Sequence, residues 1–261
     1  MFEDTCLQML VEKRYQELEE FAIQHSEDSS EQSYRAFQYL GISHFKRHEY
    51  KLARHFSERA LVINPGDAQV YYNLALCNFK LQNYKTAKLQ FEKVVQLDPA
   101  HPYAYNNLAF LFNMFQMYTD TLHICREAKD HNKHGHRTHR HWAFAEFKSG
   151  QTVPALKKIR KACSKYPKEP ENWVMWGMIL RHCGRYESAL HKLKKAQRLA
   201  PDSLLVRSEL DFVTALLQLD RELPNDAIVR IDECAYDEAH ETASVVDYIK
   251  QEGSNGFCQL F

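Results

Sequence analysis

AQVYYNLALCNFKLQNYKTAKLQFEKVVQLDPAH, residues 68–101, carries three marks: Tyr71, Leu74 and Ala75 early, Tyr84 and Ala87 in the middle, and Pro99 near its end. Each mark recurs at a spacing of 34. Proline stands at 65, 99, 167 and 201, with Lys133 filling the missing place. In step run Tyr50, Tyr84, Tyr118, Thr152 and Tyr186; then Ala53, Ala87, Thr121, Ala155 and Ala189; then Ala60, Val94, Ala128, Ala162 and Ala196. A fixed period of this length marks stacked supersecondary units, each too small to bury its apolar face alone.

Helix pairs can stack only where small residues let two helices cross closely and large apolar ones fill the holes. The Tyr-x-x-Ala step starts the second helix of each unit. Proline ends it, because it cannot continue the hydrogen-bond ladder. First helices carry Phe37/Leu40/Gly41, Tyr71/Leu74/Ala75, Tyr105/Leu108/Ala109, His139/Trp142/Ala143 and Trp173/Trp176/Gly177.

This aromatic–x–x–large–small pattern, with the tyrosine, alanine and proline ladders, resembles the tetratricopeptide repeat (TPR) family. The resemblance implies an all-α, right-handed α-solenoid of helix-turn-helix repeats with capping helices. It covers 34–203 in five units: 34–67, 68–101, 102–135, 136–169 and 170–203. Residues 1–33 read as a degenerate helix pair and linker, with Tyr15 and Leu18 one residue out of register. Residues 204–223 read as a capping helix, since a solenoid end needs a polar outer face. Residues 224–261 read as an acidic helix and flexible tail.

A net charge of zero conceals an asymmetry. Residues 126–200 hold 18 Lys+Arg against 6 Asp+Glu, and residues 201–261 hold 4 against 13. Such blocks point to partners or to self-association, and the acidic tail is expected to fold against the basic repeats. Seven scattered cysteines without CxxC spacing suit reduced thiols in a cytosolic compartment. The N-terminus, Met1–Cys6, lacks the basic-then-apolar layout of a secretory signal.

By the resemblance, first helices line the concave face. The residues expected there are Tyr39, Tyr72, Asn73, Phe79, Asn106, Asn107 and Phe110, then Arg137, Arg140, His141, Phe144, Met175 and Arg181. Amides can bind a peptide backbone, aromatics seat its side chains and cations select acidic residues. Asn73 and Asn107 resemble the start of the asparagine ladder of some long TPR superhelices, but the ladder does not continue, since Tyr39, His141 and Met175 hold the corresponding places. The clamp by which TPR co-chaperones hold heat-shock C-termini is not reproduced, because Gln38 and Ile42 replace its first pair.

Histidines at 131, 134, 136, 139 and 141 are dense, but interleaved Lys and Arg repel a dication, so no metal site is expected. Lys157, Lys158, Arg160 and Lys161, with Lys192, Lys194, Lys195 and Arg198, make a basic surface on the second helices of the last two repeats. No GxSxG, HExxH or phosphate-loop motif is present, so no catalytic residue and no enzymatic activity are expected. The sequence ends Cys258-Gln259-Leu260-Phe261, which fits a C-a-a-X box; terminal Phe selects geranylgeranyl. The expectation is a cofactor-free scaffold for a protein or peptide partner, lipidated at Cys258 and peripheral on the cytosolic face of a membrane. The alternative is a soluble RNA-binding TPR protein using the basic repeats.

Overall fold

A computed structural model describes residues 2–26, 30–101, 103–133 and 135–222. Every regular element among them is a helix. They are α1 (Phe2–Val11), α2 (Tyr15–Gln24), α3 (Ser30–Lys46), α4 (Tyr50–Ile63), α5 (Ala68–Lys80), α6 (Tyr84–Leu97), α7 (Ala104–Met114), α8 (Tyr118–Asp130), α9 (His136–Lys148), α10 (Thr152–Lys165), α11 (Pro170–His182), α12 (Tyr186–Leu199) and α13 (Leu204–Glu222). The chain divides into two compact units, residues 1–111 and 112–261. In the first, α1/α2, α3/α4 and α5/α6 pair off; in the second, α9/α10 and α11/α12 do so, with α13 against α12. The polar run before the first repeat is shorter than its composition suggests, because α3 already begins at Ser30.

The small-residue ladders lie where second helices press on first ones. Ala53, Ala60, Ala87, Ala128, Ala155, Ala162, Ala189 and Ala196 are all fully buried. Gly177 makes the tightest approach: a Cβ there would lie 2.7 Å from Leu193 Cγ. Leu193 belongs to a core with Val174, Leu180, Val206, Val213 and Leu217, which joins the last helix pair to α13. At the other end, Cys6, Leu10 and Leu18 form a small core that Tyr15, Phe21 and Tyr39 cover.

Every turn from a first to a second helix uses one device. His48, Gln82, Gln116, Gly150 and Gly184 hold φ of 64°, 64°, 59°, 77° and 67°, in the left-handed region. The N–H of the next residue then reaches back five places: Asn83 to Asn78 O at 2.8 Å, Gln151 to Glu146 O at 2.8 Å and Arg185 to Leu180 O at 2.9 Å. That is the Schellman closure of a helix end. Lys13 repeats it (φ 60°), one residue out of step like Tyr15, so the first pair is built on the same plan.

Turns between repeats differ because of proline. A residue before proline is driven to extended backbone. Asn64, Asp98, Tyr166 and Ala200 accordingly cap their helices at φ between −127° and −140°. Lys133 lacks that constraint. Helix α8 therefore stops at Asp130, and Asn132 turns left-handed (φ 55°) with Lys133 N–H on Ala128 O at 2.7 Å.

Candidate functional site

In the first unit, α5 and α7 bring four of the expected groove residues into contact. Asn107 Nδ2 donates to the Tyr72 hydroxyl at 3.1 Å, and Phe79 meets Phe110 edge-on at 5.6 Å. Asn73 accepts from Gln69 Nε2 at 3.1 Å. These residues are buried, whereas Asn106 is half-buried and its Oδ1 has no hydrogen-bond partner among the described residues. Tyr39 lies apart from them, edge-on to Phe2 at 6.5 Å.

In the second unit, Phe144 and Met175 share one core cluster, so they form floor and not contact surface. Arg140 and His141 on α9 are buried, and His141 O accepts from Asn113 Nδ2 at 3.1 Å. Arg137 is half-buried at the same helix start. Arg181 turns toward α13, with Nε 3.4 Å from Glu209 and its guanidinium 4.7 Å from the Phe212 ring.

The eight cations expected as one basic surface are sorted by the fold. Lys158 Nζ sits 3.4 Å over the Trp142 ring and 3.9 Å from Glu146; Lys192 Nζ sits 4.3 Å over Trp176. Both cations and both tryptophans are one repeat length apart, giving the same cation–π pair in consecutive repeats. Burial pushes the Lys158 ammonium below its ordinary range, opposed by Glu146, and burial raises the Glu146 carboxyl. Lys157, Arg160, Lys161, Lys194, Lys195 and Arg198 remain exposed.

A family profile described as "Tetratricopeptide repeat" matches residues 68–101. Residues 68–101 thus match one tetratricopeptide repeat. No curated protein matches it by sequence. Several solved structures share the fold. MamA (residue 41 to the end) from Desulfovibrio magneticus RS-1 is 17% identical with a TM-score of 0.59, over 65% of this chain and 97% of that one. The thermophilic TPR protein TTC0263 of Thermus thermophilus is 21% identical with a TM-score of 0.56, over 70% and 99%. YrrB is 19% identical with a TM-score of 0.55, over 66% and 89%. The fold class of this chain is thus the all-α TPR solenoid.

Two features of the chain escaped the sequence reading. His101, buried, caps α7 through Nδ1, which accepts from Tyr103 and Ala104 N–H at 3.3 and 3.2 Å, and its ring lies tilted against Tyr72 at 4.5 Å. The Lys158–Trp142 and Lys192–Trp176 pairs are the other; their shared 16-residue offset was the available signal. Around the histidine run, His136 lies 3.5 Å from Glu169, His139 and His141 are buried, and His134 falls outside the described residues. Among the described residues no group of His, Cys, Asp and Glu is placed to hold a metal, and no helix is long and apolar enough to cross a membrane. Cys6, Cys77, Cys125 and Cys163 are buried, and Cys183 is exposed. Burial pushes the Cys77 and Cys163 thiols up to about 12. Cys258 and the acidic tail lie outside the described residues.

Proposed function

We propose that this chain is an interaction scaffold and not an enzyme, taking an extended peptide with acidic residues on its first helices. A geranylgeranyl group on Cys258 tethers it to the cytosolic face of a membrane. The observation that carries the peptide reading is the chemistry repeated along first helices. The hydrogen-bonded Tyr72 and Asn107 and the aromatic pair Phe79–Phe110 lie on α5 and α7, and α7 also carries Asn106, whose Oδ1 has no hydrogen-bond partner among the described residues. In the second unit Arg137 opens a helix that also carries Arg140 and His141. Anchored aromatics and amides of this kind provide binding area at small entropic cost. The description of YrrB as a TPR protein with an unusual peptide-binding site supports a peptide ligand.

The test is a peptide library screened against the full chain. Acidic sequences should bind, and Asn106→Ala or Arg137→Ala should weaken them while leaving helicity unchanged. Indifference of every bound peptide to both substitutions would sink the reading. For the anchor, Cys258→Ser should move the protein out of the membrane fraction of eukaryotic cells; an unchanged distribution removes it.

The six exposed cations of α10 and α12 favour a second reading, an RNA phosphate backbone. Its mark is salt-dependent RNA binding that Lys194→Glu/Lys195→Glu abolishes.

A further inference from the structure

Between α10 and α12 lies a cavity of about 570 Å³ that takes in Lys157, Arg160 and Lys192 of the expected basic surface. Its size falls within the roughly 300–1,000 Å³ typical of small-molecule sites. Helix α10 offers it Val153, Leu156, Lys157 and Arg160, a single face by their spacing of three and four. Arg185, Ser188, His191 and Lys192 face it from the start of α12, and Trp176 with Leu180 of α11 makes an apolar floor.

Among the described residues the lining holds four formal cations, a hydroxyl and an imidazole, and no carboxylate. Two cations drawn inward elsewhere in this unit do face carboxylates, Lys158 at Glu146 and Arg181 at Glu209. Lys157, Arg160, Arg185 and Lys192 have no carboxylate in ion-pair reach among the described residues. Lys192 is held over Trp176, so its charge is fixed at the cavity and not free to swing into solvent. Four like charges gathered over an apolar floor repel one another until an anion enters.

The anion can be specified further. A phosphate monoester carries about −1.5 to −2 charge at neutral pH, so two of them match four cations. Arg160 and Arg185 supply planar forks that bind phosphate oxygens in pairs. Bare phosphate would leave the exposed Val153 and half-buried Leu156 facing water, whereas the C–H face of a ring would cover them. We propose that this cavity binds a cyclic polyol bearing at least two phosphate monoesters, free in solution or as a lipid headgroup. The site does not depend on lipidation of Cys258. As a headgroup site it would add the second membrane signal that a single prenyl chain needs.

The full chain carrying Cys258→Ser separates these possibilities. It is titrated with inositol 1,4,5-trisphosphate by calorimetry, and floated with phosphatidylcholine vesicles with or without phosphatidylinositol bisphosphate. The pocket variant is Lys157→Glu/Arg160→Glu. The control is Lys194→Glu/Lys195→Glu, equal in charge change but outside the cavity. Expected is binding of one or both probes, weakened at least about ten-fold in the pocket variant and less than about two-fold in the control. Arg185→Gln serves as a second pocket variant if helicity falls. Binding of the trisphosphate alone assigns a soluble ligand, and binding of vesicles alone assigns a headgroup. No binding of either probe overturns the proposal. So does equal weakening in both variants, the signature of diffuse surface charge.

Discussion

Replacing Gly177 with alanine tests the packing logic where it is tightest. The new Cβ would stand 2.7 Å from Leu193 Cγ and 2.9 Å from Cδ2, against the roughly 3.5–4 Å of an ordinary carbon contact. Relief requires Leu193 to retreat by about 1 Å. Leu193 is fully buried in a core with Val174, Leu180, Ala189 and Val213, so it has nowhere to go. Overpacking of this kind costs about 1–3 kcal/mol. Alanine in a helix interior returns about 1 kcal/mol relative to glycine. With Leu193 held in place the cost lies in the upper part of that range, about 2–3 kcal/mol, so the balance is a net loss of about 1–2 kcal/mol, and each kcal/mol lowers Tm by about 2–4 °C in a chain of this size. Circular dichroism melts of the full chain measure it, and amide exchange in α11 and α12 should show the loss concentrated there. Gly41→Ala is the control: its nearest foreign atom would be Ser57 Oγ at 3.1 Å, so its melt should move far less. Leu193→Ala alone should cost about 2–5 kcal/mol, and combined with Gly177→Ala distinctly less than the sum. A Gly177→Ala protein as stable as the parent refutes the account.

Four further outcomes follow from the structure. Gln82→Gly should raise Tm by relieving a left-handed side chain, and Gly184→Ala should lower Tm through a stability loss of about 1–2 kcal/mol, both read by thermal melts; the reverse order contradicts the turn device. Glu146→Gln should stabilise the protein increasingly with pH: the folded carboxyl lies above its ordinary value of 4.5, so its contribution is full below that value and lost as pH rises through the raised one. A constant difference between variant and parent in urea titrations from pH 4 to 8 speaks against it. Native alkylation should label Cys183 while Cys6, Cys77, Cys125 and Cys163 stay protected, as mass spectrometry of the peptides reports. Truncation after Pro224 should tighten binding of acidic peptides by removing a competing acidic segment, measured by fluorescence anisotropy; unchanged affinity argues against competition.

The helices could be read from the sequence because four ladders repeat in one register, and each ladder has one physical job. Tyr84 and Ala87 start a helix and let it pack; Pro99 ends it. The site was less readable. Concave position was inferred from register alone, but register does not say whether a side chain is floor or surface. Phe144 and Met175 went into the core, and Arg181 went to Glu209 and Phe212 on α13, a helix outside the repeat pattern. The basic surface failed in the same way. Lys158 and Lys192 carry the same residue type as their neighbours, but a tryptophan sixteen residues earlier folds each of them inward. The polyphosphate cavity joins faces of two helices a full repeat apart, a relation invisible within either helix.

The left-handed positions have a chemical corollary. A backbone at φ near +60° is strained for an L residue and relaxed for its mirror image. His48, Gln82 and Gln116 are thus places where handedness and fold disagree, and at 150 and 184 achiral glycine removes the conflict. A chain assembled by ligation with a D-amino acid at any of them should keep its architecture and gain resistance to proteases there. One residue further on, at the N-cap of each second helix, where φ lies between −79° and −93°, the same inversion should break the repeat.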